Sequence, residues 1–172
     1  MKVISFNQLR NAAGPVDRFI GRVLALDPGE TTGAALFDAS ELEVTLLATA
    51  QIKTWPLHAA VSHFERLLEL HKPTVVVYEK YHIYEWKAED HSWSSVPTIQ
   101  IIGCLKTLCI QRKIPYGSQT AQVAKQFCTD EKLETWNFYK KGEKHARDAV
   151  RHGCYFLLFG NKGLNNLTKM TS

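Results

Sequence analysis

Residues 22–38 read RVLALDPGETTGAALFD, and this stretch decides the fold. An apolar run ends at Asp27, a Pro-Gly pair follows, and a second apolar run ends at Phe37. Proline and glycine mark turns, and each apolar run has the length of a strand. The pattern therefore predicts a strand over 22–27, a tight turn, and a second strand over 32–37.

Asp27 is the last residue of the first of these strands. A carboxylate at the end of a buried strand is costly unless its charge is compensated, commonly by a cation. Aspartate also favours turns because its side chain can hydrogen-bond to the nearby backbone. This stretch alone is compatible with a cation-binding role and with a turn-capping role.

The rest of the chain alternates between strand and helix patterns. Residues 41–52 partly alternate and predict a third strand, whereas residues 57–71 have the apolar spacing of an amphipathic helix. The β-branched run TVVVYE at 74–79 is typical of a strand buried on both faces, and it ends at Glu79. A helix over 96–112, a strand over 114–118 and helices over 120–127 and 145–159 complete the prediction. Strands followed by alternating helix and strand indicate an α/β fold.

Length and composition favour one globular domain. The chain has 172 residues, of which 45% are hydrophobic and 22% charged. It contains no apolar run near the ~20 residues of a membrane span, and its first residues lack the apolar segment of a signal peptide. We expect a cytoplasmic protein with no membrane partner. We divide it into an N-terminal extension (1–21), a domain (22–160) and a flexible C-terminal tail (161–172).

The distribution of charge bears on the binding partner, and the spacing of the cysteines bears on the state of the thiols. Residues 1–86 contain 8 Lys and Arg against 10 Asp and Glu, whereas residues 87–172 contain 13 against 7. A basic second half is compatible with a phosphate-rich partner. The four cysteines form no C-x-x-C pair and have no zinc-like spacing, so we expect reduced thiols.

Three segments offer acidic groups that can meet. Asp27 and Glu79 end two strands, and they emerge at one sheet edge if those strands are neighbours. His145 and Asp148 are three residues apart on a helix, and His152 shares their face. Such acids would repel one another without cations, and oxygen-rich sites suit Mg²⁺ or Mn²⁺.

A pair of such ions roughly 3.5–4 Å apart clamps the attacking and leaving oxygens of a phosphodiester. Nucleic-acid hydrolysis is therefore the predicted chemistry. In the alternative, His145 and Asp148 are ordinary first-turn residues that the helix dipole favours.

Four motifs in this order resemble the RuvC family of Holliday-junction resolvases: LALDPGETTGAALFD, TVVVYEKYHIY, TIQIIGCLKTLCIQRKIPYGSQTAQVAKQF and HARDA. The resemblance covers residues from about Arg22 to Phe159. It implies an RNase H-like fold, with a mixed five-stranded sheet flanked by helices. It also implies that Asp27, Glu79 and Asp148 are catalytic metal ligands, and that His145 is the fourth catalytic and metal-binding residue.

The resemblance further implies two Mg²⁺ ions per site, replaceable by Mn²⁺, and a homodimer, because paired nicks need two sites. The helix over 96–112 is the expected dimer contact. The family places an aromatic residue soon after its second acid to probe the junction centre, and Tyr81 or Tyr84 matches that position. In the alternative interpretation, these tyrosines pack under their loop or at a subunit contact. Lys125, Lys144 and Arg147 are the expected phosphate contacts.

The expected function is that of an endodeoxyribonuclease that resolves four-way DNA junctions, in the cytoplasm or, for a viral protein, in the host cytoplasm. One alternative is a related nuclease that processes branched DNA or RNA. Another is a junction-binding protein that does not cut. The stretch DPGETTG also resembles the phosphate loop of actin-like kinases and ATPases, but those need a second such domain, for which this chain has no room.

Overall fold

A computed structural model describes residues 4–12, 18–81 and 96–160 of the chain. The strands are β1 Gly21–Asp27, β2 Thr31–Ala39, β3 Val44–Lys53, β4 Val75–Glu79 and β5 Tyr116–Gln119. The helices are α1 Phe6–Ala12, α2 Leu57–His71, α3 Pro97–Gln111, α4 Ala121–Phe127, α5 Asp130–Thr135 and α6 Lys144–Phe159.

The five strands form one mixed sheet in the order β3-β2-β1-β4-β5. The pairs β1–β2 and β2–β3 are antiparallel, whereas β4 is parallel to both β1 and β5. The predicted five-stranded mixed sheet is thereby confirmed. Leu26 pairs with Tyr78 across the central parallel strands, so the residues that follow, Asp27 and Glu79, lie side by side at one edge.

Helices cover both faces of this sheet, as the apolar runs of its central strands require. Val23 and Ala25 of β1 point into a core with α6, whereas Leu24 and Leu26 point into a core with α2 and α3. The β-branched residues of β4 divide between the two cores in the same way. Because α6 lies across β1, β2 and β4, its first turns reach the edge where Asp27 emerges.

Helix α1 packs onto the core. Its Phe6 is 2% exposed, and its ring centroid lies 5.1 Å from that of Trp136 and 5.3 Å from that of Phe138. Its buried Arg10 donates hydrogen bonds to the carbonyl oxygens of Phe19 and Ser40. The tail at 161–172 lies outside the described residues, and our division of the chain into extension, domain and tail stays a prediction.

The charged stretch before α6 contains a helix that we did not assign. The Thr129 hydroxyl accepts a hydrogen bond from the Lys132 backbone N–H and caps α5. Trp136 and Phe138 follow α5 and enter the core. The sequence signal for this helix was Thr129, a favoured N-cap residue, followed by Asp130 and Glu131 in the first turn.

The cysteines are free thiols, and three of them are buried. Burial raises the pKa of the Cys109 and Cys128 thiols to about 12, so their thiolates are disfavoured at neutral pH. None of the helices in the described ranges is long and apolar enough to span a bilayer.

Candidate active site

Two threonines hold the turn that follows Asp27. The Thr32 hydroxyl donates to the Gly29 carbonyl at 3.1 Å and lies 2.7 Å from the Thr54 hydroxyl. The Thr54 backbone N–H donates to the Glu30 carbonyl at 2.9 Å. Both threonines are fully buried. The turn between β1 and β2 is therefore held to the end of β3, and with it the position of Asp27.

Gly33 allows the first turn of α6 to approach this edge. A Cβ atom at Gly33 would lie 1.9 Å from the His145 carbonyl oxygen and 2.6 Å from the Ala146 nitrogen. The Gln51 side chain of β3 accepts a hydrogen bond from the His145 backbone N–H at 2.9 Å, which satisfies one of the free N–H groups at the start of the helix. The absence of a side chain at Gly33 is what brings His145 beside Asp27.

Asp27 and His145 form the first half of the site. Oδ2 of Asp27 lies 2.8 Å from Nδ1 of His145, and the Asp27 side chain is 13% exposed. Burial raises the pKa of Asp27, and the neighbouring carboxylates of Glu79 and Asp148 raise it further, against the opposing effect of the His145 hydrogen bond. This half of the site therefore has an excess of negative charge once Asp27 ionises.

Glu79, Lys125 and Asp148 form the second half. The Lys125 Nζ atom lies 3.2 Å from Oε2 of Glu79 and 3.1 Å from Oδ2 of Asp148. The two acceptor oxygens are thus no farther apart than the sum of these distances. Burial lowers the pKa of Lys125, but both carboxylates raise it and prevail. A protein ammonium group therefore bridges two of the predicted metal ligands.

Asp148 has a second cationic partner that the sequence analysis did not identify. Arg151, one helical turn later, bonds Oδ1 of Asp148 and also pairs with Asp130 of α5. Asp130 lies 3.4 Å from Nε of Arg147 as well. The i, i+3 spacing of Asp148 and Arg151 was the available signal, whereas the contact with Asp130 depends on where α5 packs.

Glu79 is also held by α6, through His152. Nε2 of His152 lies 2.9 Å from Oε2 of Glu79, and Nδ1 of the same ring lies 2.9 Å from Oε1 of Gln119. Burial raises the pKa of Glu79, but His152 and then Lys125 lower it, and the net shift is downward. His152 was predicted to share a helix face with His145 and Asp148, whereas no role was predicted for Gln119.

The expected DNA contacts differ in how they are placed. Lys144 is exposed at the start of α6, and Lys125 lies inside the acidic cluster. The guanidinium of Arg147 donates to the Tyr139 hydroxyl and the Lys140 carbonyl. Tyr81 is half-buried against the core beneath β4. Tyr84 lies outside the described residues. Their roles in DNA binding stay predictions.

The donor set fits Mg²⁺ or Mn²⁺ in kind, because it offers three carboxylates and an imidazole at one edge. In the described ranges, however, no three His, Cys, Asp or Glu side chains are already arranged as a metal cage. Lys125 lies between Glu79 and Asp148, and His145 binds Asp27. A cation would therefore bind these acids in exchange for contacts that the protein makes itself.

The chain shares its fold with solved Holliday-junction resolvases. Thermus thermophilus RuvC in complex with a Holliday junction superposes with a TM-score of 0.67, at 14% identity, over 83% of this chain and 98% of RuvC. The fowlpox virus Holliday junction resolvase gives 0.53 at 17% identity, over 79% and 97% of the two chains. The yeast mitochondrial resolvase gives 0.56 at 14% identity, over 88% and 84%. Neither a protein-family model nor a curated protein sequence matches. The fold is therefore RuvC-like.

Proposed function

We propose that this protein is a metal-dependent endonuclease that cleaves branched DNA, with the four-way (Holliday) junction as its substrate. The observation that carries the proposal is the meeting of Asp27, Glu79, Asp148 and His145, from three distant parts of the chain, at one edge of a RuvC-like sheet. Burial and mutual repulsion make such a cluster costly unless a cation or an internal partner compensates it.

The chemistry proposed for this edge is phosphodiester hydrolysis with two Mg²⁺ ions, for which Mn²⁺ can substitute. When bound, such ions activate water and stabilise the leaving 3′ oxygen. Asp27, Glu79 and Asp148 would supply oxygen ligands, and His145 an imidazole nitrogen. Lys125, displaced from the two carboxylates it now bridges, would be free to pair with a DNA phosphate.

Helix α3 supports the proposal of a homodimer. Its inner face is buried in the core, yet Ile99 and Ile110 on the outer face are 47% and 53% exposed. Gly103 lies between them on the same stripe, and nothing lies within 4 Å of the position of a Cβ there. Exposed isoleucines on the outer face favour burial of that part of the helix. A second copy of the chain packed there would also supply the second active site for paired nicks.

The nuclease proposal is tested by Asp27→Asn, with Asp38→Asn on the exposed side of β2 as the matched control. We expect the first variant to lose junction cleavage by about 10³-fold or more, because metal-assisted catalysis supplies several kcal/mol of the transition-state stabilisation. Binding of the junction should survive. The measurement is Mg²⁺-dependent cleavage of a synthetic four-way junction beside a gel-shift assay. Full cleavage by Asp27→Asn would reject the site.

The dimer is tested by Ile110→Glu, with Leu70→Glu as a control on exposed α2 surface. We expect the first variant to be a monomer in sedimentation equilibrium and to make single nicks in place of paired cuts. The control should keep the mass of the wild type. A wild-type protein that is monomeric at every concentration tested, with and without junction DNA, would reject the proposed dimer.

A second candidate, junction binding without cleavage, is favoured by one observation. Lys125 already pairs with both Glu79 and Asp148, in the place that a bridging cation would take. The same nicking assay separates the two functions, since a binding protein would retain the junction and leave both strands intact at any Mg²⁺ or Mn²⁺ concentration.

A further inference from the structure

His152 is a buried polar residue with polar partners, at a position where an apolar side chain could fill the core. The His152 side chain is fully buried, and Gln119 is 1% exposed. Buried polar groups cost free energy unless they are paired, and an apolar side chain would fill the same space without that cost. Gln119 at the end of β5 and His152 on α6 are two such residues in contact. Their burial therefore indicates a role other than filling the core.

Both residues of this pair are linked to Glu79. Glu79 and Gln119 are partners in the register of β4 and β5, and the Lys80 N–H donates to the Gln119 carbonyl at 2.7 Å. His152 bridges the two side chains, with 2.9 Å on each side of its ring. A carboxylate can only accept, so the proton of this contact lies on Nε2 of His152. Nδ1 then needs a donor, and the Gln119 NH₂ group, which is buried and otherwise has no partner among the described residues, donates to it when the amide is turned toward the ring.

We infer that His152 and Gln119 are positioning residues for the Glu79 carboxylate: His152 donates its Nε2–H to Oε2, and Gln119 holds the ring through Nδ1. This inference rests on the proposed function, in which Glu79 is a metal ligand. The described contacts of His152 and Lys125 both run to Oε2. They hold Oε2, so Oε1, which neither of them contacts, would be the oxygen available to a cation. Partners of this kind orient metal-binding carboxylates and typically change metal affinity or activity about 10–100-fold.

The first test uses His152→Phe, which keeps the ring volume and removes the donor, beside His152→Gln, which restores an N–H donor. His63→Phe, on the exposed side of α2, is the control. We expect His152→Phe to weaken Mn²⁺ binding to the DNA-free protein about tenfold or more, measured by electron paramagnetic resonance. The Mg²⁺ concentration for half-maximal cleavage should rise by a similar factor, with KM for the junction nearly unchanged.

A purely structural role for His152 predicts a different pattern. It would lower thermal stability and leave the Mn²⁺ affinity of the folded fraction unchanged, and it would give no rescue by His152→Gln. That result would overturn the inference. Gln119→Leu should shift Mn²⁺ affinity in the same direction as His152→Phe and by a smaller factor, and unchanged affinity there would remove Gln119 from the proposal.

A measurement on the wild type keeps the inference testable if the variants fail to fold. Long-range ¹H–¹⁵N spectra of the full-length protein with ¹⁵N-histidine should show a proton on Nε2 of His152, and an unprotonated Nε2 would overturn the inference. Failure of the proposed function has its own signature. Wild-type protein that binds no Mn²⁺, or cleavage that survives Asp27→Asn, overturns both, whereas metal-dependent cleavage with a normal His152→Phe overturns this inference alone.

Discussion

Asp27 and Glu79 end neighbouring parallel strands, yet their surroundings shift their pKa values in opposite directions. Asp27 has one histidine partner, and burial beside Glu79 raises its pKa. Burial acts on Glu79 as well, but His152 and Lys125 lower its pKa below the ordinary value. Two acids of equivalent position in the sheet thus differ because different parts of the helices reach them. The first turn of α6 reaches Asp27 through His145, whereas α4 reaches Glu79 through Lys125 and the third turn of α6 reaches it through His152.

The three acids differ in how much of their negative charge the protein compensates with its own cationic side chains. At Glu79 and Asp148 the protein supplies its own cations, Lys125 and Arg151. At Asp27 the excess negative charge has no comparable internal compensation in the described contacts. A divalent cation would therefore gain most beside Asp27, whereas at the other two acids it would compete with Lys125.

Gly33→Ala should break the Asp27 half and have the largest effect on stability. The added Cβ would meet the backbone of His145 and Ala146, so the start of α6 must move away from β2. We expect a loss of about 3 kcal/mol in unfolding free energy, as for severe overpacking, together with loss of junction cleavage. Chemical denaturation measures the first effect. Gly103→Ala, where nothing in the described part of the same chain lies within 4 Å, is the control for the unfolding free energy alone, and an equal loss there would contradict this explanation.

Lys125→Gln should break the Glu79 half and have a smaller effect. The Lys125 side chain is 39% exposed, so solvent screens its ion pairs and the expected loss is about 1 kcal/mol in metal-free protein. In a domain of this size that lowers Tm by about 2–4 °C. Added Mg²⁺ should raise Tm more in the variant than in the wild type, because the acids lack their internal cation. Lys144→Gln, on exposed α6 surface, should show neither change.

The smallest effects are expected from pH, and they should have opposite signs in the two halves. Ionised Asp27 costs stability at neutral pH, and that cost is relieved as pH falls through its raised pKa toward the ordinary 3.8. Ionised Glu79 contributes stability above the ordinary pKa of 4.5, which is lost as pH falls through its lowered pKa.

Metal-free Asp27→Asn should therefore have a higher Tm than the wild type at pH 7, with the advantage shrinking in acid. Glu79→Gln should have a lower Tm, with the deficit shrinking below pH 4.5. Thermal unfolding from pH 7 downward measures both. Changes of the same sign in the two variants would mean that the two acids do not differ as described.

The strand and helix patterns of the chain were sufficient for much of the fold. The helix over 57–71 was predicted with the bounds that the structure shows, and the β-branched run of β4 was recognised as a central strand. Helix α5 was not assigned, because its six residues carry only a local capping signal. The contact of α1 with the core could not be predicted, since it depends on an aromatic cluster assembled from distant residues.

The meeting of four side chains at one sheet edge was predictable from the sequence, but the other residues that contact them were not. Strand-end position and the i, i+3 spacing identified Asp27, Glu79, His145 and Asp148 as residues that could meet. Gln119 and Asp130 carried no comparable local signal, because their contacts depend on which elements pack together. Arg151 had the i, i+3 spacing from Asp148 as a signal, but the sequence analysis did not use it. Gly33 was predicted to lie in the second strand, as it does, but no local pattern indicated that it allows the close approach of α6.

Local sequence patterns were sufficient to predict which strands end in a carboxylate, because hydrophobic period and turn residues are local properties of the chain. The direction in which the pKa of each carboxylate is shifted depends on tertiary contacts. Burial and ion pairing act through space over a few ångströms, and the groups that lie within that distance of Asp27 and Glu79 are up to 118 residues away along the chain.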